Sequence, residues 1–119
     1  MHVTYMTPDF AVAPQICTQD LQWLAHEGFT DIVCNRPDAE HPEDAQSPEL
    51  KVIAKGLGMR FHYLPIAPGE PFDVTAREIG RLTSRPGAKV LAYCRSGARS
   101  TAAWTLAQTQ MSGAAIAAR

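Results

Sequence analysis

The sequence has almost no excess of charge of either sign. It contains 11 Lys and Arg against 12 Asp and Glu, a net charge of −1 at pH 7. This balance gives no reason to expect a basic surface for nucleic acid or for an anionic membrane. The N-terminal segment MHVTYMTPDF has no Lys or Arg, and no apolar run approaches the length of a membrane span. We therefore expect a cytoplasmic protein without a signal peptide, a nucleic-acid partner or a membrane partner.

Cysteine is also scarce. An odd number with wide spacing (Cys17, Cys34 and Cys94) is typical of free thiols and not of a disulfide framework. Cys34 is more simply a buried structural cysteine than a resolving thiol. No spacing of His, Cys or Asp matches a metal site, so we expect neither a metal nor another cofactor. A length of 119 residues with 45% hydrophobic residues predicts one domain, residues 1–119, with an apolar core.

Strand patterns and helix patterns alternate along the chain. Predicted strands cover four stretches: 2–12 (a hairpin), 29–35, 60–66 and 88–93. Residues that favour helix starts are predicted to begin or cap four helices: Thr18, Ser47, Asp73, and Ser100 or Thr101. This alternation predicts βαβ units and an α/β fold, a single domain with a mainly parallel sheet flanked by helices. The tail, residues 112–119, is interpreted as a short helix or the remnant of a longer protein.

The segment AKVLAYCRSGARS places a cysteine between a buried strand and the start of a helix. A tight loop in this position directs backbone N–H groups and a helix dipole at one point, where they bind an anion and lower the pKa of a thiol. Cys94 is therefore the predicted nucleophile, and Arg99 offers a planar donor to a tetrahedral oxyanion. The other loop residues are predicted to line the anion site: Arg95, Ser96, Gly97, Ala98 and Ser100.

Two further loops, residues 36–47 and residues 67–72, should face Cys94 at the carboxyl edge of the sheet. Arg36 is a candidate second cation for the anion, or else a surface partner of Asp38 or Glu40. Hydrolysis of a phosphate ester needs a group that gives a proton to the leaving oxygen. The candidate acids come from these two loops and the helix start that follows: Asp38, Glu40, Glu70 and Asp73 (the last more simply a helix cap).

Four segments, in this order, resemble the bacterial beta-lactamase hydrolase-like family: TPDFAVAPQI, NRPDAE, PELKVIAKGLGMRFHYLPI and CRSGARS. The resemblance extends from about Thr7 to Gln110. It implies a dual-specificity-phosphatase-like α/β fold, a nucleophile at Cys94 and an anion-binding arginine at Arg99. Members of this family are labelled either phosphatases or sulfur transferases. The segment YCRSGARS is also similar to the active-site loop of single-domain rhodanese sulfurtransferases, and more loosely to the signature of cysteine-dependent tyrosine phosphatases.

Loop length favours one of these two reactions. Such phosphatases have five residues between the catalytic cysteine and arginine, and usually a His before the cysteine. Here four residues separate Cys94 from Arg99, Ser100 stands where that arginine would fall, and Tyr93 precedes the cysteine. Rhodanese-type loops are of the shorter kind. Transfer of sulfur between thiols also proceeds without a dedicated acid.

The sequence therefore favours a sulfurtransferase. Its Cys94 thiolate would take a sulfane sulfur from thiosulfate or a low-molecular-weight persulfide and pass it, as a persulfide, to a thiol acceptor. The alternative is a tyrosine or dual-specificity phosphatase that hydrolyses a phosphate ester through a phospho-cysteine at Cys94. A second alternative is a non-catalytic anion-binding or redox module that uses the same loop without turnover.

Overall fold

The sheet of the protein starts with the predicted hairpin and continues with strands that alternate with helices. The computed structural model describes the backbone of residues 1–117 and the side chains of residues 1–113. The strands are β1 (Thr4–Thr7), β2 (Phe10–Ala13), β3 (Asp31–Cys34), β4 (Arg60–Tyr63) and β5 (Val90–Tyr93). The helices are α1 (Thr18–His26), α2 (Ser47–Gly56), α3 (Asp73–Thr83) and α4 (Ala98–Ala117), with a 3-10 turn at Asp38–Glu40. Among the helices described, none is long and apolar enough to cross a bilayer.

The central strand of the sheet is β5. The strand order is β1-β2-β5-β3-β4, and every pairing except the β1–β2 hairpin is parallel. The predicted α/β domain with a mainly parallel sheet is therefore confirmed. Because helices cover both faces, every residue of β3 and β5 is buried. The carboxyl ends of β2, β3 and β5 meet at one edge of the sheet, and Cys94 is the first residue beyond β5.

The apolar core has two layers, one on each face of the sheet. Alternate residues of β5 point in opposite directions. Leu91 and Tyr93 pack in the layer of α1 and α2, whereas Val90 and Ala92 pack in the layer of α3 and α4. Burial of each large apolar side chain stabilises the fold by about 1.5–3 kcal/mol. The strand that carries Cys94 is thus fixed from both sides.

Some element ends differ from their predicted positions. Helix α4 begins at Ala98, two or three residues early, because Gly97 turns the chain at once and its carbonyl accepts a hydrogen bond from Thr101 N–H at 2.9 Å. Thr18, Ser47 and Asp73 are the first residues of α1, α2 and α3 and not their caps. The cap positions belong to the preceding residues, Cys17, Gln46 and Phe72. Helix α4 takes in most of the tail 112–119, of which positions 118 and 119 lie outside the described residues.

A buried carboxylate holds together the edge of the sheet opposite Cys94. Asp31, the first residue of β3, is fully buried and accepts a hydrogen bond from the Thr30 hydroxyl at 2.6 Å. Nε2 of His62 lies 2.7 Å from Oδ2 of Asp31. Arg85, which follows α3 in the chain, forms an ion pair with Oδ1 of Asp31. Burial alone would raise the pKa of this carboxyl, but the hydrogen bonds and the charge of Arg85 outweigh it and keep the pKa of Asp31 below its ordinary value.

We expect Asp31→Asn to lower the free energy of unfolding in urea by about 2 kcal/mol at pH 7, because Arg85 and His62 lose a charged partner. The carboxyl has a lower pKa in the folded chain than in the unfolded chain. Its contribution is therefore complete above the unfolded value, about pH 4, and is lost as the pH falls through the folded value. The difference between variant and wild type should narrow in acid.

The exposed Glu43 provides a control, because Glu43→Gln makes the same change in charge. It should alter the free energy of unfolding by no more than about 0.5 kcal/mol. Equal losses for the two variants, or a difference that widens in acid, would contradict the role assigned to Asp31.

Candidate active site

Cys94 lies at the base of a tight loop, and its side chain is 1% exposed. The loop is tied to the segment after β2. The Cys94 N–H donates to the Ala13 carbonyl at 3.4 Å, and the Arg95 carbonyl accepts from Gln15 N–H at 3.2 Å. Gly97 has a φ of 94°, which side chains other than glycine rarely adopt. This glycine therefore allows the strand, the loop and α4 to follow one another within a few residues.

Backbone N–H groups converge on the sulfur of Cys94. The N–H of Gly97 lies 3.1 Å from Sγ. Burial disfavours the thiolate, but hydrogen bonds from the N–H groups of Ser100, Arg99 and Gly97, and from the Ser100 hydroxyl, outweigh burial and lower the pKa of Cys94. The first turn of α4 supplies most of these donors, and its dipole adds positive potential. The loop thus surrounds the Cys94 sulfur with donors that stabilise its thiolate.

Ser100 connects the sulfur to the neighbouring strand. Its buried hydroxyl donates to Oδ1 of Asn35, the residue after β3, at 2.9 Å. The Asn35 amide donates to the Leu64 carbonyl at 2.8 Å, which fixes the orientation of the amide. One hydroxyl proton serves one acceptor at a time, so Asn35 and the Cys94 sulfur share it. Asn35 has no role in the sequence predictions, although a polar residue at the end of an apolar strand was the available signal.

Arg99 lies beside Cys94 and is held by two acceptors. Nη1 donates to Oε2 of Glu40 at 3.0 Å and to the Ile66 carbonyl at 2.8 Å, and Nη2 donates to Oε1 of Glu40 at 2.7 Å. Hydrogen bonding to Glu40, together with the nearby charge of Cys94, raises the pKa of Arg99. The guanidinium is therefore fully charged next to the sulfur.

A cleft of about 650 Å³ lies beside Arg99 and is lined by charged residues and one proline: Arg36, Glu40, Pro68, Arg95 and Arg99. Arg36 is almost buried, and its Nε donates to Oε1 of Glu40 at 3.2 Å. Its Nη1 donates to Asp44 at 3.0 Å and to Gln15 at 3.1 Å. The predicted ion pair with Glu40 is present, and Arg36 also reaches the cleft, where its contact with an anion stays a prediction.

The predicted acids are not brought together. Glu40 lines the cleft, and its hydrogen bond to Arg99, with help from Arg36, keeps its pKa below the ordinary value. Asp38 accepts hydrogen bonds from the Ser47 N–H at 2.8 Å and from the Ser47 hydroxyl, so it anchors the start of α2. The carboxylates of Glu70 and Asp73 are exposed. Glu40 is therefore the predicted acid that the fold places beside Arg99.

The remaining predicted residues lie on the surface of the loop or in the core. Ser96 and Ala98 are exposed, and the Ser96 hydroxyl accepts from the Ala98 N–H at 3.4 Å. Cys34 pairs in register with Tyr93 and packs in the core layer of α1 and α2, where burial raises the pKa of its thiol to about 11. Among the residues with described side chains, no cluster of three or more His, Cys, Asp or Glu could hold a metal ion.

Curated relatives include beta-lactamase hydrolase-like proteins from two bacteria. The chain is 25% identical over 97 residues to the protein of Agrobacterium fabrum, which covers 82% of this chain and 22% of that protein. It is 21% identical over 108 residues to a protein of Xylella fastidiosa, with coverage of 91% and 25%. The chain thus spans about a quarter of the length of these relatives.

Solved structures with the same fold include two described as proposed phosphatases. One from Neisseria meningitidis is 28% identical, with a TM-score of 0.72 over 81% of this chain and 68% of that chain. One from Shewanella putrefaciens is 20% identical, with a TM-score of 0.79 over 93% and 69%. The kinase-associated phosphatase, a cysteine phosphatase, is also 20% identical and has a TM-score of 0.67 over 81% and 65%. The predicted cysteine-phosphatase-like fold is therefore confirmed.

The family comparison extends over nearly the whole chain. Residues 2–111 match the model described as beta-lactamase hydrolase-like protein, phosphatase-like domain. This match includes all four segments from which the resemblance was drawn, so that prediction is confirmed. The chain belongs to the family of phosphatase-like domains of beta-lactamase hydrolase-like proteins.

Proposed function

We propose that this domain hydrolyses phosphate monoesters through a phospho-cysteine at Cys94. The observation that carries the proposal is the buried sulfur of Cys94, whose thiolate is stabilised by loop N–H groups and lies beside Arg99. A thiolate is the nucleophile that attacks phosphorus, and the N–H groups and guanidinium are donors for the phosphoryl oxygens. The family description and the Neisseria meningitidis structure also favour a phosphatase. The phosphatase is therefore preferred over the sulfurtransferase that loop length had favoured.

Two displacements complete the reaction. In the first, the Cys94 sulfur attacks phosphorus, an S–P bond forms, and the P–O bond breaks with its electron pair on the leaving oxygen. In the second, water attacks phosphorus, the S–P bond breaks, and its electron pair returns to Cys94 as the thiolate while the water proton passes to the released phosphate. Loop N–H groups and Arg99 stabilise the charge on the phosphoryl oxygens. The Ser100 hydroxyl, shared with Asn35, can turn to the departing sulfur.

The proton for the leaving oxygen limits the range of substrates. Hydrogen bonding to Arg99 keeps the pKa of Glu40 low, so this carboxylate is ionised at neutral pH and has no proton to give. Asp38, another candidate acid, is instead held at the start of α2, because it accepts two hydrogen bonds from Ser47. Leaving groups that are stable as anions, such as aryl oxides, are therefore favoured over alkyl alcohols.

Sulfur transfer is the second candidate, because four residues and not five separate Cys94 from Arg99. In that reaction the thiolate attacks the sulfane sulfur of thiosulfate, the S–S bond breaks, and sulfite leaves with the electron pair. An acceptor thiolate then takes the outer sulfur of the persulfide and releases Cys94. Neither step needs a protein acid. The persulfide donor, the acceptor thiol, the cytoplasmic location and the non-catalytic alternative all stay predictions from the sequence.

The lowered pKa of Cys94 predicts that this cysteine is alkylated at a lower pH than an ordinary thiol. Its reaction with iodoacetamide should reach half of its maximal rate below about pH 8.5, the value for a free thiol, because the thiolate is the reacting form. Peptide mass spectrometry over a pH series would measure the rate for each cysteine separately. Cys34, buried with a raised pKa, should stay unmodified. A midpoint for Cys94 at or above pH 8.5 would contradict the stabilised thiolate.

The two candidate reactions separate by assay. Release of p-nitrophenol from p-nitrophenyl phosphate should be measurable for the wild type and should fall by at least about 10³-fold in Cys94→Ser. Transfer of sulfur from thiosulfate to cyanide, with the same variant, tests the second candidate, and one added sulfur atom on Cys94 would identify the persulfide by mass. Turnover of thiosulfate without turnover of aryl phosphate would overturn the first proposal, and silence in both assays would favour the non-catalytic module.

The shortage of proton donors predicts a steep dependence on the leaving group. Along a series of substituted phenyl phosphates, kcat should rise with the acidity of the phenol, and an alkyl phosphate should be hydrolysed at least about 10²-fold more slowly than phenyl phosphate. Steady-state rates at one pH are sufficient for the comparison. A rate that does not depend on the leaving group would show that a protein acid supplies the proton, or that the second displacement limits turnover, which pre-steady-state release of phenol distinguishes.

A further inference from the structure

We propose that Glu40 is a positioning residue for Arg99, one that holds one edge of the guanidinium so that the other edge faces a bound oxyanion. The inference rests on the oxyanion site of the proposed function. It assigns to Glu40 a role different from that of a general acid, for which Glu40 was one of four candidates from the sequence. The carboxylate would never touch the reacting atoms and would act through Arg99.

The donors of Arg99 divide cleanly between its two edges. A guanidinium has five N–H donors in a plane. Both Nη1 donors and one Nη2 donor are engaged, with Glu40 and the Ile66 carbonyl as acceptors at 2.7–3.0 Å. Within the described residues, the Nε donor and the second Nη2 donor are not used by Glu40 or Ile66. They lie on one edge of the guanidinium, the edge with which arginine binds an oxyanion side-on, and the Cys94 sulfur is within hydrogen-bonding reach of Arg99. Cys94 is close enough to Arg99 to raise the pKa of the guanidinium.

Glu40 is itself held in place. Its Oε1 accepts from Arg36 as well as from Arg99, at 3.2 and 2.7 Å. Arg36 is almost buried and is anchored by Asp44 and Gln15, so it ties the carboxylate to the body of the protein. Arg99 has a long side chain with several rotatable bonds, and ordering such a side chain at a binding site is costly. A fixed Glu40 removes that cost before the anion arrives.

Charge alone predicts the opposite effect. A carboxylate in an anion-binding cleft repels the anion, so its removal should strengthen binding unless it positions a donor. The two effects differ in how they depend on salt and on Arg99. Repulsion between partly exposed charges is screened in about 0.5 M salt, whereas the orientation of Arg99 is not. Orientation also requires a planar partner, which lysine at position 99 would not provide.

The test is a double-mutant cycle in which Glu40→Gln is made in the wild type and in Arg99→Lys. Binding of inorganic phosphate is measured by isothermal titration calorimetry in about 0.5 M NaCl. With Arg99 present, Glu40→Gln should weaken phosphate binding about fivefold, the cost of one newly ordered side chain. In Arg99→Lys it should leave the affinity unchanged or improve it. Glu40→Asp keeps the charge but shortens the reach, so it should weaken binding as Glu40→Gln does. The matched control Glu43→Gln should have no effect in either background.

The outcomes distinguish a role of Glu40 in positioning Arg99 from repulsion of the anion and from a general role in the loop. Stronger binding in Glu40→Gln with Arg99 present would show that Glu40 only repels anions. Equal weakening in both backgrounds would show a general role in the loop and not one through Arg99. If the wild type binds phosphate and the cycle shows no coupling, the inference fails while the proposed function stands. If the wild type neither binds phosphate nor hydrolyses aryl phosphate, the proposed function fails, and the inference with it.

Discussion

A buried thiolate is stable only where hydrogen-bond donors replace the water that it has lost. At Cys94 these donors are the N–H of Gly97 and the first N–H groups of α4, which have no partners inside the helix. They reach the sulfur because α4 begins at Ala98, and α4 begins there because Gly97 takes a positive φ. The loop keeps this shape because the Ala13 carbonyl at the end of β2 accepts the Cys94 N–H. The hairpin, the central strand and the start of α4 thus together place N–H donors around the sulfur of Cys94.

The positive side of the site depends on a second constraint, the balance of charge around Arg99. Arg99 and Arg36 would repel each other without an acid between them, and Glu40 lies there with bonds to both. Asp44 neutralises Arg36 from the other side. The arrangement orders two arginines without a large excess of positive charge. In the proposed reaction, an oxyanion would meet a guanidinium that is already oriented, and its binding energy would not be spent on ordering a side chain.

Local sequence patterns were sufficient to predict the fold and the position of Cys94 between the central strand and the start of α4. The parallel sheet follows from alternating strands and helices, and the environment of Cys94 follows from a strand, a glycine loop and a helix start that are contiguous in the chain. The roles of Asn35 and Glu40 could not be predicted in this way. Each depends on a partner about 60 residues away, Ser100 or Arg99, and hydrogen bonds between separate loops have no sequence period. The contact of Asp38 with Ser47 could not be predicted either, because only the folded loop brings the two residues together.

The short loop and the lack of a proton donor both bear on which substrates the site can use. A loop with one residue fewer between cysteine and arginine offers one backbone N–H fewer to a phosphoryl group, so a larger share of the charge on its oxygens must be met by Arg99. Glu40 accepts two hydrogen bonds from that arginine, which lower its pKa, so it has no proton to give as an acid. The two uses of one carboxylate exclude each other. In the proposed reaction, pairing Glu40 with Arg99 would thus raise the affinity for the oxyanion and would restrict the leaving groups to those, such as phenoxide or sulfite, that depart as stable anions.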